Sequence, residues 1–278
     1  MSASPVTDGA AVLSFEADRG DTAIGELYQH NPLRVLFPRR TAGELLTGVL
    51  VTTSGGLVGG DQLKIRISSR KGTAGRVLAQ AAEKIYRSTG ADSRIGVRLQ
   101  AEADSWLEWL PQETILFDAS RLRRSTEIRA APGARLLCGE MVVLGRTAMG
   151  ERMRQGLLHE AWDVYWDDRL VWSDVLHLNS GLERVSDAAA GLGGARACAS
   201  ILYVGGDAVR HLEPARALID EAVAAPMRVA ASCVGNVLVI RWLGRDSLQL
   251  RNAYGRFWAA FRHHLAGYPP IMPRLWQA

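Results

Sequence analysis

The chain has only three cysteines among 278 residues, Cys138, Cys198 and Cys233, and no Cys-x-x-Cys spacing. An odd number at wide spacing argues against a disulfide framework and a structural zinc knuckle. Lysine is as scarce: Lys64, Lys71 and Lys84 are the only lysines among 33 basic residues, so arginine carries nearly all of the positive charge behind the net +4. Arginine favours bidentate, partly buried ion pairs more than lysine does. The densest basic run, Arg121-Leu122-Arg123-Arg124, is short and has no interleaved aromatics. It reads as solvated arginine among acids, and no nucleic-acid partner is expected. No stretch approaches 18 uninterrupted apolar residues, so no membrane-spanning helix is expected. Met1 to Asp21 lacks a basic segment ahead of an apolar run, so no secretory signal is expected and the cytoplasm is the default compartment. Linkers and low-complexity tracts are missing too, and residues 1–278 read as a single domain.

What is present is strand patterning. Val49 to Thr53 is β-branched and runs into Ser54-Gly55-Gly56-Leu57-Val58-Gly59-Gly60-Asp61, where four glycines in eight residues call for unusual backbone angles or close approach. Period-two alternation follows three times. Leu63 to Ile67 turns at Lys71-Gly72 and returns from Arg76; Ile95 to Leu99 turns near Ala103-Asp104 and returns from Ser105. Thr126 to Ala130 turns at Pro132-Gly133 and returns from Ala134. The returns begin 29 residues apart both times, which reads as stacked strand–turn–strand units. The competing reading is an ordinary antiparallel sandwich.

Further extended runs cover Arg152 to Leu158, Trp162 to Trp166, Leu170 to Leu176 and Cys198 to Val204, with Asp167-Asp168 as a hairpin turn. The remainder changes character. Apolar residues recur at helical spacing over residues 207–224, with Asp207 as a candidate cap, and over 247–266, with Asp246 as the cap. Between them, Met227 to Cys233 and Val237 to Trp242 form a strand pair turning at Gly235-Asn236. The fold class is therefore mainly β, a β-helix or solenoid-like stack of strands with two C-terminal α-helices.

No catalytic motif stands out. The Gly-rich segment ends in Asp61 without Gly-Lys-Ser/Thr, and a carboxylate would repel phosphate, so a phosphate-binding enzyme is a minor alternative. There is no Gly-x-Ser-x-Gly, and Cys138 reads as a small core residue. The histidines His30, His159, His177, His211, His263 and His264 form no His-Glu-x-x-His or His-x-His site. Carboxylates in apolar strands are the better candidates: Asp61 after the glycines, Glu140 in Leu136 to Leu144, and Asp174 among Val171, Trp172, Val175 and Leu176. Each is either an ion-pair partner of an arginine or an oxygen ligand lining an interior passage. With His177 nearby, such a set suits a borderline divalent ion held loosely.

Several blocks together resemble one family. They are Ser54 to Asp61 with Gly55, Gly56, Gly59 and Gly60, then Ala82-Glu83-Lys84-Ile85-Tyr86-Arg87-Ser88, then Leu107-Glu108-Trp109-Leu110-Pro111-Gln112-Glu113. Leu144-Gly145-Arg146, Ala148, Gly150-Glu151 and the closing Pro273-Arg274-Leu275-Trp276 fit as well. In this order they resemble the urease accessory protein UreD, called UreH in some systems, from about residue 30 onward. Residues 1–25 match poorly, as a variable N-terminal segment would. The resemblance implies a non-enzymatic chaperone that binds UreF and the GTPase UreG, docks on urease apoprotein and passes nickel through an internal tunnel. It implies no tightly bound cofactor, only a nickel ion in transit. It also implies Asp61, Glu140 and Asp174 as tunnel-lining acids. Glu83 departs from the family, which often has a small residue there; it either narrows or charges the passage or pairs with Lys84 or Arg87. The aromatic residues Phe257, Trp258, Phe261 and Trp276 are a candidate partner surface, against the alternative that they pack on the β body. A β-rich binding module without a metal role is the alternative for the whole protein.

Overall fold

The computed structural model describes residues 7–41, 43–179, 181–223 and 227–276. In chain order the strands are β1 (Asp8–Asp18), β2 (Asp21–His30), β3 (Leu33–Leu36), β4 (Leu46–Thr52), β5 (Gln62–Ser69), β6 (Ala74–Ala79), β7 (Glu83–Ile85), β8 (Ser93–Ala101) and β9 (Trp106–Leu110). They continue as β10 (Thr114–Leu116), β11 (Arg121–Ala130), β12 (Arg135–Leu144), β13 (Leu157–Trp166) and β14 (Arg169–Leu178). A short helix α1 (Leu182–Asp187), β15 (Ala197–Val204), α2 (Leu212–Ala222), β16 (Arg228–Val234), β17 (Val237–Gly244) and α3 (Ser247–Ala266) complete the chain.

The stacked reading holds. Strands β5, β8, β11 and β13 pair parallel in one seven-stranded sheet. Strands β4, β6, β9 and β12 pair parallel in a ten-stranded sheet, and the short β7 and β10 stack with the end of β12 along a third side. The unit is therefore three strands, not two. The spacing is also less regular than 29: Leu46 pairs with Gly75, Gly75 with Leu107 and Leu107 with Leu136, steps of 29, 32 and 29. The corners are stacked β-turns, closed by amides of Thr73, Ser105 and Ala134 donating to the carbonyls of Arg70, Glu102 and Ala131. Each needs a left-handed third residue, which Gly72 (φ 71°), Asp104 (φ 59°) and Gly133 (φ 86°) supply.

Antiparallel segments close the stack. The β1–β2 hairpin adds β1 parallel to β5, and the β13–β14 hairpin turns at Asp167-Asp168 with both residues at positive φ. Strands β15, β17 and β16 extend the ten-stranded sheet antiparallel from β12. The first 40 residues, which give only scattered sequence signals, thus hold two long strands and place Ala11, Leu13 and Phe15 in the core. Residues 1–6 of the segment expected to be variable lie outside the described residues.

Alternation sorts the core into two layers. Leu63, Ile65, Val97, Leu122, Ile128, Val164, Leu136, Cys138 and Val142 point into the lumen. Leu137, Met141 and Val143 on the other face of β12 meet α3, whose Leu250, Tyr254, Phe257, Trp258, Phe261 and Leu265 form the second layer. Burial pushes the Cys138 thiol well above its usual range, as suits an inert core residue. Gly139 lets α3 sit close: a Cβ there would stand 1.8 Å from the Tyr254 hydroxyl.

The Asp246 carboxylate caps α3 by accepting from the Gln249 amide at 2.9 Å, as its position implies. Three expectations need correction. The helix expected over 207–224 is a 3-10 turn, Ala208–His211, followed by α2, and its expected end at Ala224 lies outside the described residues. Asp207 does not cap it, because its carboxylate is taken by Tyr203 and His211. The strand expected from Arg152 begins only at Leu157, since Gly156 sits at φ 126°.

Candidate functional site: buried carboxylates in the β-helix lumen

Two cavities lie in the lumen and share one side chain. The first, of about 150 Å³, is lined by Glu83, Lys84, Trp109, Thr114, Arg124 and Glu140 among apolar residues. The second, of about 300 Å³, is lined by Glu140, Glu160, Asp174, Cys198 and Arg241. Between them stands an ion cluster. Arg124 Nε donates to both Glu160 oxygens (2.9 and 2.8 Å), and its Nη1 donates to Thr114 Oγ1 and lies 2.8 Å from Glu140 Oε2. Trp109 Nε1 donates to the other Glu140 oxygen at 2.9 Å.

All three charged groups are buried, at 4% exposure for Arg124 and Glu140 and 7% for Glu160. Burial raises the Glu140 carboxyl to about 7; Arg124 opposes that shift and Glu160 adds to it. Burial also works against the Arg124 charge, and the two carboxylates more than reverse it, holding the guanidinium protonated. The cluster carries two acids against one base.

The expected site residues separate into three groups. Glu140 is at the centre, and Asp174 is at the rim of the second cavity, 2.6 Å from Arg241 Nη2. Asp61 is buried but committed elsewhere: its carboxylate accepts the amides of Thr7 and Val58, both at 2.9 Å. It fastens the Gly-rich loop to the first strand and lines neither cavity. His177 is exposed and pairs across the strands with His159, on the face of β14 opposite to Asp174, so those two are not brought together. Glu83 does line the first cavity; Thr52 Oγ1 donates to its carboxylate at 2.6 Å, and burial raises its pKa.

The Gly-rich loop has a packing role. Gly56 and Gly59 lie against Tyr86, Lys84, Ser88 and Ala91, where a Cβ would clash, and Leu57 bridges to Ile85 as a further rung. Amides of Leu57, Val58, Gly60 and Asp61 are all spent within the protein, so they form no phosphate cradle. Gly55 and Gly60 hold φ of 76° and 102°.

The remaining blocks converge at one corner. Tyr86 donates to the Gly55 carbonyl (3.0 Å) and packs edge-on against Phe117 (4.9 Å), Arg146 lies over the same Phe117 ring (4.5 Å), and Arg87 bridges to Ser120. Arg146 also pairs with Glu151; Gly150 (φ 74°) lies in the turn between them, and Gly145 (φ 98°) packs against the Glu151 backbone. Lys84 is exposed on β7.

Phe257, Trp258 and Phe261 are fully buried and Trp276 nearly so, packed on the sheet and on one another. The expected aromatic partner surface is therefore corrected to a core layer in this chain. Trp276 stacks on Tyr254 at 5.5 Å, while Gln112 and Glu113 bind the helix and tail through Arg251 and the Leu275 carbonyl.

The family profile described as "UreD urease accessory protein" matches residues 7–277. The chain is 49% identical to the urease accessory protein UreD of Magnetococcus marinus, over 96% of this chain and 93% of that protein. It is 41% identical to UreD 2 of Methylorubrum populi, over 93% and 85%, and 37% identical to UreD of Paracoccus denitrificans, over 98% and 97%. The chain belongs to the UreD urease accessory protein family.

In this UreD-family chain the two residues missed by sequence reasoning are Arg124 and Glu160. Their signal was alternation: Arg124 is in phase with Leu122, Thr126 and Ile128, and Glu160 with Leu158, Trp162 and Val164. Reading Arg121 to Arg124 as one solvated run hid that Arg124 faces inward. Among the described residues, no helix is long and apolar enough to cross a membrane.

Proposed function

We propose that this protein is a non-catalytic scaffold of urease maturation that binds UreF and, with it, the GTPase UreG, docks on urease apoprotein, and conveys nickel through its lumen. The observation that supports this most is that Glu140 belongs to two cavities at once, with a surplus of buried acid around it. Nickel is cargo here and not a resident cofactor. Carboxylates without a His/Cys cage hold a borderline cation loosely enough to release it. With a pKa near 7, Glu140 binds either a proton or a cation, so ion entry and proton release are coupled. Arg124 fills the place a cation would take between Glu140 and Glu160, and passage requires its displacement. The route runs past Glu83, Glu140, Glu160 and Asp174; Asp61 and His177 are off it.

The test is co-expression with urease and the other accessory proteins, comparing wild type with Glu140→Gln/Glu160→Gln. The expected result is an intact complex by pull-down with a several-fold loss of urease nickel and activity. Normal nickel with an intact complex would leave the protein as a binding module that only holds its partners. The commitment of Asp61 to backbone amides and of Asp174 to Arg241 favours that second reading.

A further inference from the structure

Four of the six histidines form two close pairs, and their surroundings differ. On the outer face of the seven-stranded sheet, His159 Nδ1 and His177 Nδ1 are 3.2 Å apart. Their neighbour is Arg123; after burial, its charge is the next cause holding the His159 pKa down. A guanidinium beside two rings disfavours a bound cation.

The second pair lies on the helix side of the ten-stranded sheet. His211, at the end of the Ala208–His211 turn, places Nδ1 3.0 Å from Nε2 of His264 in the last turn of α3. Its other nitrogen, Nε2, is 3.1 Å from Asp207 Oδ2. Asp207 Oδ1 in turn accepts from the buried Tyr203 hydroxyl at 2.6 Å. Tyr203 packs edge-on against His211, and His264 stacks on Phe261, so both rings are oriented by buried aromatics. The Asp207 carboxylate thus bridges the Tyr203 hydroxyl and the His211 ring. With Asp207 accepting a hydrogen bond from Nε2–H of His211, the tautomer is one whose Nδ1 lone pair faces His264.

This is the arrangement of a metal-bound histidine with a carboxylate behind it. Two imidazole nitrogens, each about 2.0–2.1 Å from one ion at right or tetrahedral angles, stand about 2.9–3.4 Å apart. We propose that His211 Nδ1 and His264 Nε2 form a two-histidine site for a borderline divalent cation such as Ni²⁺, Zn²⁺ or Cu²⁺, with Asp207 orienting the first ligand. On binding, the His264 proton moves from Nε2 to Nδ1, so charge and protons balance without release. Among the described residues no three His, Cys, Asp or Glu side chains converge on one point, so water fills the other positions and the ion exchanges readily. Arg135, which donates to the Leu265 carbonyl and also touches Tyr203, tempers the affinity. The site does not depend on the lumen reading, since the sheet separates it from both cavities.

Titration of the untagged full chain with Cu²⁺, followed by electron paramagnetic resonance, and with Ni²⁺ by calorimetry, tests this. One saturable ion coupled to two imidazole nitrogens is expected. His211→Ala and His264→Ala should each weaken it at least about tenfold and leave one nitrogen. Asp207→Asn should weaken it about 10–100-fold while keeping both nitrogens, an effect that mere loss of folding would not give. The double variant His159→Ala/His177→Ala should bind as wild type. The proposal fails if wild type shows no saturable ion, if His264→Ala, changed at an exposed side chain, binds normally, or if His159→Ala/His177→Ala abolishes the signal.

Discussion

Two buried ion clusters lie on opposite faces of the ten-stranded sheet, and they differ in charge balance. Under α3, Arg76 and Arg262 meet Glu44 and Glu108. Arg262 Nε donates to Glu108 at 2.9 Å, Arg76 Nη2 lies 3.1 Å from Glu44, and Arg262 Nη1 donates to the Pro269 carbonyl. Two bases face two acids there, and Arg262 and Glu108 are fully buried. In the lumen one base, Arg124, faces two acids, with space on either side. The first cluster is neutral and fastens the C-terminal helix and tail to the β body. The second is left with a negative charge beside a void once Glu140 ionises, above about pH 7. Burial alone therefore does not mark a working charge; the sign left over after pairing does.

That contrast can be broken from either side. The largest effect is expected for Glu108→Ala, which removes the nearer carboxylate of Arg262 and leaves it only Glu44, at 3.6 Å. A loss of about 3–5 kcal/mol follows from breaking a buried pair, read as a shift of the urea midpoint. A loss below about 1 kcal/mol would place the attachment of α3 elsewhere.

Glu140→Gln should cost less, about 1–3 kcal/mol near pH 5, because Arg124 keeps Glu160. Its sign with pH is the sharper test. The folded pKa of Glu140, about 7, lies above the unfolded value of 4.5. Its contribution to stability is thus fully present below about 4.5 and is lost as the pH rises through about 7. Wild type should lose ground to the glutamine variant over that window in paired unfolding curves. A gain instead would mean that the lumen holds Glu140 ionised. Asp246→Ala, at the exposed start of the same α3, should cost only about 1 kcal/mol by thermal or urea melts.

The alternating strands, their corner residues and the Asp246 cap could all be read from the chain because each depends on residues within a few positions, and the stack showed through the recurrence of the returns 29 residues apart. Arg124 could not be read that way from its run. In a strand, neighbours face opposite sides, so Arg121 and Arg123 reach Asp92 outside while Arg124 points inward. Its partners, Glu140 and Glu160, arrive only through stacking of later strands. The same holds for Asp207, whose cap-like position is overridden by Tyr203 and His211. The aromatic residues of α3 show the periodicity of an amphipathic face, but periodicity does not say whether the chain itself or a partner covers that face; here β12, β15 and β17 do.

The spacing of the rungs also has a consequence in time. Each strand of the stack pairs with one about 30 residues earlier, and Arg124 meets both of its carboxylates within 36 residues. A chain emerging from the ribosome can complete the lumen rung by rung, as neighbour-only architectures allow. Glu108 must wait 154 residues for Arg262. Until α3 is made, the outer face of the sheet stands open with Glu108 held only by Trp106 and, at 3.9 Å, by Arg76, and a nascent chain stopped short of α3 has a finished interior under an unfinished exterior.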